Sequence, residues 1–134
     1  MLCPKKLKYK KYHKKRFKTK SLRGSKIAFG SFALIAVSEG LVSAKQIESA
    51  RIAINKHIKK TGKMWIRIFP HHPVTKKPAE TRMGKGKGSV DKWVSVVNAG
   101  RILYEIDGVD INLAKKAARS AQSKLSISTQ FISN

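Results

Sequence analysis

The spacing of apolar residues predicts a helix in the first half of the chain. Apolar residues repeat there at helical intervals: Ile47, Ala50, Ile54 and Ile58. Ser43 followed three residues later by Gln46 has the form of a capping box, and Gly62 suits a C-terminal cap. The pattern therefore predicts a helix over residues 43–62.

A second helix is predicted near the end of the chain, beginning after Asp110, which is a favourable N-cap residue. Its expected buried stripe consists of Leu113, Ala117, Ala121 and Leu125. The small alanines in this stripe would allow the helix to approach a sheet closely.

Four segments have the alternation or the β-branched and aromatic content of strands: residues 26–37, 64–69, 92–108 and 127–132. The first should contain two strands around a bend at Gly30 and Ser31, and the third two strands around a turn at residues 98–100. Pro70 should end the second segment, and the proline-rich residues 71–82 should be extended and irregular. The sequence thus predicts an α+β fold in which two helices pack on a mixed, largely antiparallel sheet.

The charge balance indicates a polyanionic partner. Thirty Lys and Arg against seven Asp and Glu give a formal net charge of +23 on 134 residues, which opposes compaction unless an anion is bound. The single cysteine, Cys3, excludes an internal disulfide framework and the usual zinc patterns. No apolar run approaches the length of a transmembrane helix, and the start of the chain has no secretory or transit-peptide pattern.

The cations concentrate in a basic arm, residues 1–25, ahead of a single predicted domain, residues 26–134, with a loop at 70–91. Residues 1–26 hold twelve cations and no acid, with aromatic rings between them. Ammonium groups can meet phosphates while rings stack on bases. A solvated tail, a nuclear-import signal and a membrane-surface segment are the alternatives, although the apolar residues form no wide helical stripe. The candidate RNA-binding residues are Lys5, Lys6, Lys8, Lys10, Lys11, Tyr12, His13, Lys14, Lys15, Arg16, Lys18 and Arg23, together with Arg51, Lys59 and Lys60 on the first helix, which could also be merely solvated.

The stretch "RMGKGKGS", residues 82–89, carries alternate glycines with two lysines between them. It lacks the lysine followed by Ser or Thr of a P-loop, and no strand leads into it as in a dinucleotide-binding turn. A flexible linker is the simplest alternative, but a linker needs no arginine, methionine and lysines. Glycines let a backbone approach another surface, and cations bind phosphates, so the stretch favours an RNA-reaching loop.

No catalytic motif accompanies this loop, so the chain is not expected to be an enzyme. The adjacent His71 and His72 have no carboxylate or cysteine at ligand spacing, so neither a metal nor a cofactor is expected.

Six segments, in order along the chain, resemble the bacterial and organellar family of large-subunit ribosomal protein sixteen: "MLCPKKLKYKKYHK", "FGSFAL", "QIESARIAI", "GKMWIRIFPHHPVTKKPAETRMGKGKGS", "GRILYEIDGV" and "STQFI". The resemblance implies a protein bound to large-subunit rRNA near the central protuberance and the peptidyl transferase region, with its arm along rRNA. It also implies a tRNA-proximal loop made of Arg82, Met83, Gly84, Lys85, Gly86, Lys87 and Gly88. His71 and His72 depart from the Asp-Lys pair common in the family, which removes a possible local salt bridge.

The partners that this resemblance implies are large-subunit rRNA, A-site tRNA and neighbouring large-subunit ribosomal proteins, with no membrane and no homo-oligomer. A non-ribosomal RNA chaperone and a membrane-active cationic protein remain open from the charge alone. The lysine bias, 23 Lys to 7 Arg, indicates an AT-rich genome, and "PAETRMG" and "TQFIS" favour a plastid ribosome. The alternatives are a mitochondrion or the bacterial cytoplasm.

Overall fold

The computed structural model describes residues 2–14, 17 and 19–134. Within them the regular elements, in chain order, are β1 (Phe32–Ala36), β2 (Gly40–Ser43), α1 (Ala44–Ile58), β3 (Lys63–Ile66), β4 (His72–Lys76), β5 (Ser89–Val97), β6 (Ile102–Asp107), α2 (Ile111–Gln122) and β7 (Thr129–Ser133). This arrangement confirms the predicted α+β class.

The strands form two sheets rather than the single sheet expected from the sequence. One sheet has four strands in the order β3-β6-β1-β7, and the other has three in the order β2-β5-β4. Every strand pairing in the described part of the chain is antiparallel. The two helices pack against each other, and the core lies between them and the four-stranded sheet, with Val42 and Val97 of the three-stranded sheet also buried in it.

Helix α1 begins as predicted. The Ser43 hydroxyl accepts a hydrogen bond from the Gln46 amide, and the Gln46 side chain accepts one from the Ser43 amide, which completes the capping box. The helix ends earlier than predicted, because Lys59 takes a left-handed φ of 52° and acts as the C-cap. Gly62 instead provides space, since a Cβ atom there would lie 2.2 Å from the Ile58 side chain.

Helix α2 begins at the predicted cap, where the Asp110 carboxylate accepts a hydrogen bond from the Asn112 amide. Its buried residues are Ala114, Ala117, Ala118 and Ala121. The predicted stripe is therefore right at two alanines, whereas Leu113 and Leu125 are only partly buried. Small side chains allow α2 to lie close to α1.

The first predicted strand pair is wrong, since only Phe32–Ala36 forms a strand. Residues 26–31 are irregular because the amides of Ala28, Phe29 and Gly30 donate hydrogen bonds to the Glu105 carboxylate instead of to a neighbouring strand. The Glu105 side chain thus accepts the hydrogen bonds that a neighbouring strand would otherwise accept from residues 28–30.

The sequence pattern misses two strands. Strand β2 is short, and strand β4 lies in the segment expected to be irregular because it contains Pro73. Proline is tolerated in β4 because this strand is at the edge of its sheet, where one row of amides has no ladder partner. Strands β4 and β5 together form a hairpin, and the predicted 70–91 loop is shortened to residues 77–88.

Strand β6 organises the core of the four-stranded sheet. Its residues from Ile102 to Ile106 are all buried, which is typical of a strand covered on both faces. The Tyr104 hydroxyl donates a 2.8 Å hydrogen bond to the Ile47 carbonyl of α1, and burial raises the pKa of Tyr104. Because Tyr104 faces α1 and successive side chains of a strand point to opposite faces, Glu105 lies on the face away from the helices.

Candidate nucleic-acid interface

The basic arm forms no helix or strand in its described residues. The side chains of Lys5, Lys6, Lys8, Lys10, Lys11, His13, Lys14 and Arg23 are exposed, as is Tyr9, whose ring lies 5.6 Å from the Lys8 ammonium group. Lys15, Arg16 and Lys18 lie outside the described residues. The arm thus presents a row of cations that an extended polyanion could reach.

The arm lies against the hairpin through Tyr12. The Tyr12 ring stacks on His72 of β4 with centroids 5.6 Å apart and planes inclined by 16°. Lys11 donates a 3.0 Å hydrogen bond to the carbonyl of Lys87, and the Lys87 ammonium group donates one to the carbonyl of Tyr12. These contacts join the arm to the base of the glycine–lysine loop.

The glycine–lysine loop, residues 82–88, forms the tip of the β4–β5 hairpin. Residues from Arg82 to Lys87 are exposed, and Met83 is fully so. Gly84 (φ 108°), Lys85 (φ 56°) and Gly86 (φ 86°) all have left-handed backbones, which glycine adopts without strain. No atom lies within 4 Å of a Cβ atom built on Gly84 or Gly86, so the tip has open space around it in the described structure.

The cations of the hairpin differ in what they contact. Lys77 donates a 2.7 Å hydrogen bond to the Gly84 carbonyl and so supports the tip from within, whereas Lys87 holds the arm. Among the described residues, Arg82 and Lys85 have no hydrogen-bond or ion-pair partner. Their charges are the ones left for an external anion.

The basic face of α1 is less uniform than its sequence indicates. The Arg51 guanidinium group binds Glu48 through two hydrogen bonds of 2.5 and 3.0 Å, and this hydrogen bonding lowers the pKa of Glu48. The pair neutralises Arg51 locally. Lys59 and Lys60, just beyond the helix, remain exposed.

Comparison with known proteins identifies the chain. The model of the family described as ribosomal protein L16p/L10e matches residues 4–132. The chain belongs to this family. It is also 53% identical over 132 residues to the large ribosomal subunit protein uL16 of Leptospira biflexa serovar Patoc, in both the Ames and the Paris strains of Patoc 1. The alignment covers 98% of this chain and 96% of the relative.

Membership in the L16p/L10e family makes the chain a structural constituent of the large ribosomal subunit and not an enzyme. Ribosomal RNA and other ribosomal proteins are therefore its partners. Both relatives are bacterial, so the comparisons give no support to the plastid location predicted from the sequence.

In this L16p/L10e protein the segment after the arm is fixed by a buried ion pair. Glu105 is completely buried and accepts hydrogen bonds from the amides of Phe29 (2.6 Å), Gly30 (2.8 Å) and Ala28 (3.1 Å) and from the Arg67 guanidinium group. Burial alone would raise the pKa of Glu105, but these four donors together outweigh it and lower the pKa.

Sequence reasoning missed this anchor and the arm–hairpin contacts. Glu105 binds amides more than 70 positions away, and Tyr12 and His72 are also far apart along the chain. The one local signal is Glu105 itself, an acid between the apolar residues Tyr104 and Ile106 of the strand "ILYEID", because a buried carboxylate needs several donors.

A metal cluster and a membrane-spanning helix are both absent from the described residues. No group of three or more His, Cys, Asp and Glu side chains there could hold a metal ion. In the same residues, no helix is long and apolar enough to cross a membrane.

Proposed function

We propose that the chain binds large-subunit rRNA through its basic arm, near the peptidyl transferase region, and holds the glycine–lysine loop against tRNA in or entering the A site. The protein performs no chemistry in this role. It neutralises phosphates so that RNA segments can come together, and it steadies a bound tRNA.

The observation that carries this proposal is the state of the hairpin tip. Arg82 and Lys85 stand exposed in the loop whose residues Gly84–Gly86 have left-handed backbones, and neither has a partner in the described part of the chain. An arginine offers a planar fork and a lysine a point charge, both of which bind phosphate oxygens. The open space at Gly84 and Gly86 lets the backbone itself come close to a strand of RNA.

The arm supports the tip from the side. Tyr12 on His72 and the two lysine–carbonyl hydrogen bonds join the arm to the hairpin base. An arm held along rRNA would therefore also restrict the direction of the loop. Lys87 belongs to this support, whereas Arg82 and Lys85 belong to the tRNA-facing tip.

The test is the double variant Arg82→Ala with Lys85→Ala in purified ribosomes. The variant should enter the large subunit normally but bind A-site tRNA more weakly. The slope of log affinity against log salt should become shallower by roughly 0.7 to 0.9 for each phosphate that is no longer neutralised. The matched control is Lys115→Ala with Lys116→Ala, which removes two exposed cations from α2 and should leave tRNA binding unchanged.

Normal tRNA affinity in the Arg82 and Lys85 double variant, with full occupancy of the ribosomes, would refute the tip assignment. Lys87→Ala provides the complementary comparison. Because it removes the hydrogen bond from the Lys87 ammonium group to the Tyr12 carbonyl and so weakens the attachment of the arm to the hairpin, its main effect should be on incorporation of the protein, measured by sedimentation of assembled subunits.

A further inference from the structure

An exposed aromatic side chain lies at the edge of the four-stranded sheet. The Phe29 ring stacks on Trp65 of β3 with centroids 6.0 Å apart and planes inclined by 22°. The Arg67 guanidinium carbon lies 5.4 Å from the centre of the same Phe29 ring. Phe29 contacts both side chains and nevertheless keeps 59% of its surface exposed.

The backbone that carries Phe29 is held rigidly. Both oxygens of the buried Glu105 carboxylate accept hydrogen bonds from the three consecutive amides of residues 28–30. Arg67 binds Glu105 and also donates to the Lys26 carbonyl at 3.1 Å. At Gly30 the backbone comes so close to β6 that a Cβ atom would lie 2.7 Å from the Ile106 carbonyl oxygen.

The hydrogen bonds that fix residues 28–30 do not serve to bury Phe29, since its ring is exposed. A fully buried carboxylate is costly unless several donors compensate it, and here they compensate it while fixing the position of an exposed ring. Preorganisation of this kind reduces the entropy lost when a ligand binds to the ring. The Phe29 platform, defined as Phe29, Trp65 and Arg67, therefore has the character of a binding site.

We propose that the Phe29 platform stacks an unpaired base of ribosomal RNA. This inference rests on the proposed function, because it takes rRNA as the partner. Bases stack on exposed aromatic rings and on arginine planes, and the platform offers both. Lys26 lies three residues before Phe29, and Lys63 lies two residues before Trp65. Both lysines are exposed, and their long side chains suit contact with the phosphates that flank a stacked base. A chain with a net charge of +23 favours a nucleic acid over a peptide as the occupant.

The experiment measures binding of the full chain to deproteinised large-subunit rRNA over a series of salt concentrations and compares the variants with the original chain at one of them. Phe29→Leu keeps the apolar bulk but removes the ring, and it should weaken binding about 5- to 150-fold, the range found for losing one stacked base. Phe29→Tyr keeps the ring and should bind like the original chain. This recovery by tyrosine separates stacking from simple packing.

The matched control is Phe131→Leu. It loses the same atoms and breaks another ring pair, that of Phe32 and Phe131, but at the opposite edge of the same sheet. Its rRNA affinity should stay unchanged even if its thermal unfolding temperature falls. Circular dichroism of all three variants establishes that they are folded before binding is measured.

The outcomes separate this inference from the proposed function. If the original chain itself binds rRNA without salt dependence or not at all, the proposed function fails. If it binds normally and Phe29→Leu binds equally well, the Phe29 platform does not hold a base, while the proposed function stands. If Phe29→Leu binds rRNA normally but is lost from assembled subunits, the occupant is a neighbouring protein and the base-stacking inference is overturned.

Discussion

At the scale of single residues, burial of the Glu105 carboxylate costs free energy, but the buried group fixes the position of Arg67 and of residues 28–30. This carboxylate is the only fully buried one among the described residues, and it holds Arg67 and three backbone amides at once. Strand β6 would be more uniformly apolar without it. The acid is thus best explained by what it fixes, the segment that joins the basic arm to the domain.

Glu105→Gln should destabilise the protein by about 3–5 kcal/mol at neutral pH, because it leaves Arg67 without its charged partner. The original chain should also lose stability in acid. The pKa of Glu105 is lower in the folded chain than its ordinary value of 4.5, so its contribution is complete above that value and is lost as the pH falls through the folded pKa.

Urea unfolding at pH 7 and at about pH 3 and constant ionic strength measures both effects. The difference between the original chain and Glu105→Gln should shrink in acid. Glu48→Gln is the control, since Glu48 forms an exposed pair with Arg51 and should change stability little. An equal difference at both pH values would show that the Glu105 charge does not stabilise the fold.

At the scale of elements, the sequence predicts those parts of the fold that depend on local signals. The capping box at Ser43 and the cap at Asp110 predicted the starts of both helices, and the turn expected at residues 98–100 predicted the pair of strands β5 and β6. In contrast, β4 was missed because a proline inside a strand is allowed only at a sheet edge, and edges are set by tertiary structure.

The same limit applies to the candidate site. The loop could be predicted because its glycines and lysines are contiguous. The different roles of the two lysines could not be predicted. Lys85 has no partner among the described residues, whereas Lys87 binds the Tyr12 carbonyl, and this contact depends on where the distant arm lies. The Phe29 platform likewise depends on the pairing of Phe29 with a strand 36 positions away.

Ser43→Ala tests the capping box of α1. The change removes the acceptor of the Gln46 amide and should lower the free energy of unfolding by about 1 kcal/mol. Ser49→Ala is the control, because the exposed Ser49 hydroxyl only bonds back to the Lys45 carbonyl within the helix, and alanine is the better helix former. Equal stability of the two variants, measured by urea unfolding, would contradict the role of the cap.

At the scale of the whole molecule, the net charge and the placement of the arm both favour binding to RNA. The +23 charge favours a polyanionic partner, and the exposed lysines of the arm provide a long contact surface for it. The arm crosses to the hairpin base, so the rRNA-binding and tRNA-facing parts of the proposal are physically connected through Tyr12, His72 and Lys87. The globular domain supports this connection, because Glu105 fixes the segment that follows the arm and the second sheet holds the hairpin.

The most direct test of the central claim is a photo-crosslink from the loop tip in intact ribosomes with tRNA bound in the A site. A benzophenone-bearing amino acid replaces Lys85 in one sample and the exposed Lys116 of α2 in the control. Sequencing of the attached RNA should show tRNA and A-site rRNA at position 85 and neither at position 116. Crosslinks from position 85 that fall only on rRNA remote from tRNA would contradict the claim and make the loop an assembly element.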